Sequence, residues 1–178
     1  MDATTETRAT GTLPTFLAGL QSGMVGVLWM LAWLGVSATW QRRSFWTAEN
    51  LLASAFYGDA AIHDGFAFST LSGLALYLLL YSLLGGMFAA VIRERASESR
   101  ILLFGVVFGL VWYYGSFHWL WKGFLPLVWL LHVERPTIIG HLLYGTLMGR
   151  YPSYLKRPAP PAPAPEPQAE APVEANPE

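Results

Sequence analysis

The chain has 178 residues, 53% hydrophobic, only 13% charged and 15% aromatic, with a formal net charge of −1 and no cysteine. An ordinary soluble domain carries about 25% charged residues, so this chain lacks the groups needed to cover a water-facing surface. The absence of a basic face argues against a nucleic-acid partner, and the absence of cysteine excludes disulfides, thiolate metal sites and cysteine nucleophiles.

The charges cluster at Arg42-Arg43, from Arg93 to Arg100, around Glu134-Arg135 and in the C-terminal tail, with long charge-free runs between them. Runs of about 20 apolar residues match the thickness of a bilayer core. A soluble helical domain would instead show amphipathic stripes. The composition therefore predicts an all-α integral membrane protein whose first partner is the lipid bilayer.

Residues 1–12 form a polar, threonine-containing segment expected to lie at the surface. The first span is predicted over residues 14–40. A signal peptide is the competing reading, with Arg8 before the apolar run and Val36-Ser37-Ala38 resembling a cleavage site. The run is much longer than a signal h-region of 7–15 residues, which favours an uncleaved helix. Residues 44–58 then read as a short helix, with Thr47 as N-cap, Glu49 in the first turn and Gly58 as the stop. Phe45, Trp46, Leu52 and Phe56 give it an apolar side, and its length suits a helix lying flat at the interface.

The second span is predicted over residues 66–92, followed by a charged loop at 93–100. The third covers residues 101–121. Residues 124–131 are apolar but interrupted by Pro126, and read as an interfacial or partly re-entrant piece. Pro136 fits the first turn of a fourth span, ending near Tyr151-Pro152 and barely long enough to cross. From residue 153 the chain becomes a Pro/Ala/Glu-rich tail, in which Glu166, Glu170, Glu174 and Glu178 are spaced by four but interleaved prolines forbid a helix. No internal repeat is visible, although every span carries glycine.

Four spans would put Arg8, Arg93, Arg95, Arg100, Arg150, Lys156 and Arg157 on one side, and Arg42, Arg43, Lys122 and Arg135 on the other. That bias places both termini in the cytoplasm. Gly19 and Gly23 with Gly26 mark the first span, Gly105 and Gly109 the third, and Gly145 and Gly149 the fourth. Small residues at four-residue steps allow close backbone contact between helices in lipid, so these seven are the candidate packing positions. The second span adds Gly73 and the Gly85-Gly86 pair, where a bend is also expected.

His141 is the ionisable residue of the fourth span, which makes it a functional candidate. Its structural alternative is a hydrogen bond to a neighbouring span, with Ser22, Ser69, Ser72 and Tyr113 as possible partners. Lying little more than a turn inside Pro136, it is expected near the outer face. His118 falls at a similar depth, and His63 and His132 occupy loops on the same side. The four are candidate metal ligands, and His118 with His141 a candidate haem pair. No histidines show the i, i+4 spacing of a helix-borne metal site. Trp112, Tyr113, Tyr114, Trp119, Trp121 and Trp129 read as an aromatic belt at the headgroup level. No phosphate-cradling loop, nucleophile elbow or paired intramembrane carboxylates occur, so no catalytic residue is assigned and no cofactor is required.

The stretch Ser44-Phe-Trp-Thr-Ala-Glu-Asn-Leu-Leu-Ala-Ser-Ala-Phe-Tyr-Gly58, followed by His141-Leu-Leu-Tyr-Gly-Thr-Leu-Met-Gly149, resembles uncharacterised small bacterial four-span integral membrane proteins. The resemblance covers residues 19–149 and implies the bacterial cytoplasmic membrane, with no activity attached. The expected architecture is a bundle of four transmembrane helices over residues 13–152, with an interfacial helix after the first. The expected role is a non-catalytic structural or assembly component, in contact with other membrane subunits or with itself. The alternatives are a small oligomeric transporter or channel, and a metal- or haem-binding redox protein.

Overall fold

The computed structural model describes residues 11–63, 65–92 and 97–155. The expected polar segment up to residue 10, Asp64, the charged loop at 93–96 and the acidic tail from residue 156 lie outside them. Among the described residues helix is the regular secondary structure and no strand occurs. Three helices are long and apolar enough to cross a membrane: α1 (Thr12–Trp40), α3 (Phe68–Ile92) and α4 (Glu98–Phe124). Between the first two lies α2 (Thr47–Tyr57), and after α4 come α5 (Pro126–Leu131), α6 (Glu134–Met148) and a last short turn α7 (Pro152–Leu155).

The long helices wear their apolar residues outward as well as inward. Leu17, Leu28 and Trp29 on α1, Leu79 and Val91 on α3, and Leu103 and Val111 on α4 are all exposed. A water-soluble bundle would bury these positions, whereas lipid tails solvate them. Local backbone chemistry accounts for the breaks. Leu125, at φ −136° and ψ 72°, precedes Pro126, whose ring disfavours a helical residue before it, so α4 ends there. One feature had no sequence signal: α4 widens into a π-helical turn at Ser116–Leu120.

Glycine sets how the helices meet. α1 packs antiparallel on α3, α4 packs antiparallel on α6, and α1 also packs on α6 to join the pairs. A Cβ at Gly23 would come within 2.7 Å of the Tyr81 carbonyl oxygen, and one at Gly109 within 2.5 Å of the His141 carbonyl oxygen. Both backbones are therefore nearly in contact. Gly26 is pressed against Tyr144 of α6, so each of the seven expected packing glycines sits at a helix contact.

The two pairs share one register. Gly19 lies against the Gly85 carbonyl and Ala89, just as Gly105 lies against the Gly145 carbonyl and Gly149. Gly23 faces Tyr81 and Gly85, just as Gly109 faces His141 and Gly145. The correspondence pairs Gly19 with Gly105, Gly85 with Gly145, and Tyr81 with His141. A repeat is thus present in the packing although none is visible in the letters.

α2 differs from expectation at its N-terminus. Thr47 is the first helical residue and not the N-cap; its hydroxyl donates to the Ser44 carbonyl at 2.6 Å, and no side chain caps the helix. Gly58 ends it at φ 56°, a conformation that suits glycine. The buried residues are Glu49 to Ser54; of the residues expected on its apolar side, Leu52 is buried and Phe56 exposed. Gly73 makes room for this arrangement, because the Glu49 carbonyl occupies the space a Cβ there would need. Asn50 then fastens the following turn, donating to the His63 and Gly65 carbonyls and accepting from the Thr70 hydroxyl at 2.6 Å.

Candidate functional site

His141 projects from α6 into the centre of the bundle and is buried. Its partner is Tyr81, near the middle of α3: the phenol oxygen lies 2.9 Å from Nε2. On the other side of the ring, Nδ1 lies 2.8 Å from the Thr137 carbonyl oxygen one turn earlier. A carbonyl only accepts, so Nδ1 carries the hydrogen, Nε2 accepts, and the Tyr81 hydroxyl donates. Tyr144 completes the group by donating to the Tyr81 carbonyl at 2.7 Å. Aromatic edges enclose the imidazole, with ring centroids of Tyr113 at 5.3 Å, Tyr81 at 5.8 Å and Phe117 at 5.9 Å.

The hydrogen bond to another span that sequence reasoning entertained is present, but with a residue it did not name. Tyr113 touches the ring, yet its buried hydroxyl makes no hydrogen bond among the described residues. Ser22 donates to the Gly19 and Met148 carbonyls, Ser69 meets His63, and Ser72 meets Tyr57. His141 faces Tyr81 of α3, and its ring meets Tyr113 and Phe117 of α4. Tyr81 stands four residues before Gly85, on the packing stripe of its helix. That spacing was the available signal.

The other candidate histidines do not gather around it. His63 bonds Ser69 at 3.0 Å, in the turn held by Asn50. His132 has Nδ1 2.6 Å from the Trp129 carbonyl and stacks on Phe117 at 4.3 Å. His118 is exposed on the outside of α4, with the Tyr113 ring touching both it and His141. Among the described residues no three histidine or carboxylate side chains come together to hold a metal ion.

A narrow crevice of about 50 Å³ reaches this centre from the end of the bundle that carries α2 and α5. Its lining includes Gln41, Arg43 and His132 from the end of the bundle and Tyr77, Thr137 and His141 from within it. One water needs roughly 10–15 Å³ measured in this way, so the crevice admits a few waters and no organic substrate of ordinary size. Among known proteins the chain matches no family model, no curated protein and no solved structure at a significant level. The chemistry must be read from this geometry.

The Tyr81 and His141 pair has a measurable signature. Tyr81→Phe and His141→Phe are each expected to lower stability by about 1 kcal/mol, the range of interhelical hydrogen bonds in bilayers. A double-mutant cycle in mixed micelles should return a coupling of similar size. Strictly additive losses would show that the contact contributes nothing.

Proposed function

We propose that the chain is a four-pass protein of the bacterial cytoplasmic membrane that serves as a non-catalytic structural or assembly component. In this reading α6 is the fourth pass. At 15 residues it spans about 22 Å, short of a core about 30 Å thick, and α5 with its flanking turns fills the remaining depth. Helix α2 lies along the interface, with Phe56 and Tyr57 toward lipid. The bias in Lys and Arg puts both termini in the cytoplasm.

The observation that carries the role is how most of the central polar groups are spent, the Tyr113 hydroxyl apart. Both His141 nitrogens, the Tyr81 and Tyr144 hydroxyls, Ser22 and the Trp33 indole all bond to backbone or side chains within the bundle. Groups used this way fix helices in register and are not free to hold or transform a substrate. Extracted from native membranes in a mild detergent, the chain should run as a stoichiometric assembly with defined partner subunits or with itself. Recovery of nothing but the free chain, across several detergents, would overturn the reading.

A second reading, a small oligomeric transporter or channel, is favoured by the crevice that ends at His141. It requires movement of water, protons or small ions. Proteoliposomes would distinguish the two, since flux abolished by His141→Phe would favour transport over assembly.

A further inference from the structure

The end of α1 is built differently from an ordinary helix terminus. Arg42 takes a left-handed conformation, at φ 57°, where glycine is the usual residue. The turn closes with Arg42 N–H donating to the Thr39 carbonyl at 3.0 Å and Arg43 N–H to the Ala38 carbonyl at 2.9 Å. Two consecutive arginines are thereby held at one point. Arg43 is half-buried, and its Nη1 donates to the Leu131 carbonyl at 3.3 Å, which ties it to the end of α5.

Beside this turn lies a cleft of about 250 Å³, lined by Arg42, Arg43, Thr47, Asn50 and His63 over an apolar floor from Leu51. Among the described residues no carboxylate lines it. The neutral groups are already engaged: Thr47 donates to Ser44, Asn50 to the backbone of the following turn, and His63 meets Ser69. What remains for a ligand is two guanidinium groups. The Arg42 guanidinium makes no hydrogen bond or ion pair among the described residues, and Arg43 keeps most of its five N–H donors. Exposed Ile62 adds apolar surface to the lining.

We propose that this cleft binds the phosphate group of an anionic ligand at the membrane interface. A tetrahedral phosphate presents oxygens to both guanidiniums at once, and such charge-assisted pairs are the strong ones. The same chemistry is offered by a lipid headgroup and by free phosphate. The inference is independent of the assembly role, because it concerns one end of the bundle and requires no partner.

The test uses purified full-length protein in dodecyl maltoside, titrated with dihexanoyl phosphatidylglycerol and with inorganic phosphate. Wild type should bind at least one of them saturably. Dihexanoyl phosphatidylglycerol that is not displaced by inorganic phosphate identifies the lipid source; full displacement identifies free phosphate. Arg43→Lys keeps the charge but loses the planar fork, and should weaken binding about tenfold. Arg42→Gly is the decisive variant. It relieves the left-handed residue while removing a guanidinium, so it should raise the melting temperature and still weaken binding. Lys122→Gln, whose ammonium lies over the Trp129 ring and outside the cleft, should bind as wild type. Absence of saturable binding to either probe would overturn the proposal. So would an Arg42→Gly variant that binds normally, or a Lys122→Gln variant that loses as much affinity.

Discussion

Replacing Gly145 by leucine should unseat α6 from α4 and cost on the order of 3 kcal/mol, the upper range for overpacking a tight contact. A Cβ at Gly145 would meet the Gly105 carbonyl oxygen, its carbon at 3.0 Å and the Val106 Cα at 3.1 Å. All three are backbone atoms, which cannot swing aside as a side chain can. The helices would have to separate, and with them the close packing on which association in lipid depends. Gly115→Leu is the matched control, since nothing lies within 4 Å of a Cβ there; it should stay within about 0.5 kcal/mol of wild type. Unfolding in mixed micelles measures both. Equal effects at the two positions would refute the packing argument. The shared register adds that Gly19→Leu and Gly105→Leu should cost similar amounts.

Raising the pH should loosen α2. Glu49 is buried against the bundle, and its Oε2 has no hydrogen-bond partner among the described residues. Burial pushes its carboxyl up from 4.5 to about 7, with a hydrogen bond from its own backbone opposing the shift in part. Between these values the folded chain holds a proton that the unfolded chain has released, so stability falls as pH rises through this window. Below about 4.5 both states are protonated and above about 7 both are ionised, leaving the profile flat. The full change is on the order of 3 kcal/mol. Glu49→Gln, neutral at every pH, should remove the slope and be more stable than wild type at pH 8. A wild-type profile that is flat from pH 4.5 to 7, or one matched by the glutamine variant, would remove Glu49 from this role.

Much of this arrangement is legible in the letters, because a bilayer punishes misplaced polarity. Span limits at residues 14–40, 66–92 and 101–121 fall within a few residues of α1, α3 and α4, since charges and prolines mark where apolar runs must stop. The glycine stripes are legible for the same reason. Which stripe faces which is not. Gly105 and Gly145 are forty positions apart, and nothing local says that they touch. Tyr81 was passed over because a tyrosine among leucines reads as apolar bulk; its hydroxyl matters only once α6 brings His141 opposite. Which face of α2 turns inward is not legible locally either. Glu49 and Asn50 turn inward and Phe56 outward because Gly73 lets α2 approach α3 through that face.

The matching register of the two helix pairs has a consequence for the central hydrogen bond. Tyr81 and His141 occupy equivalent places in the two halves, and they bond to each other. A dimer of identical hairpins related by a two-fold axis would have to set tyrosine against tyrosine there, or histidine against histidine. Carrying both hairpins on one polypeptide lifts that restriction. One half can then supply a dedicated donor and the other a dedicated acceptor, a complementarity that strict symmetry forbids.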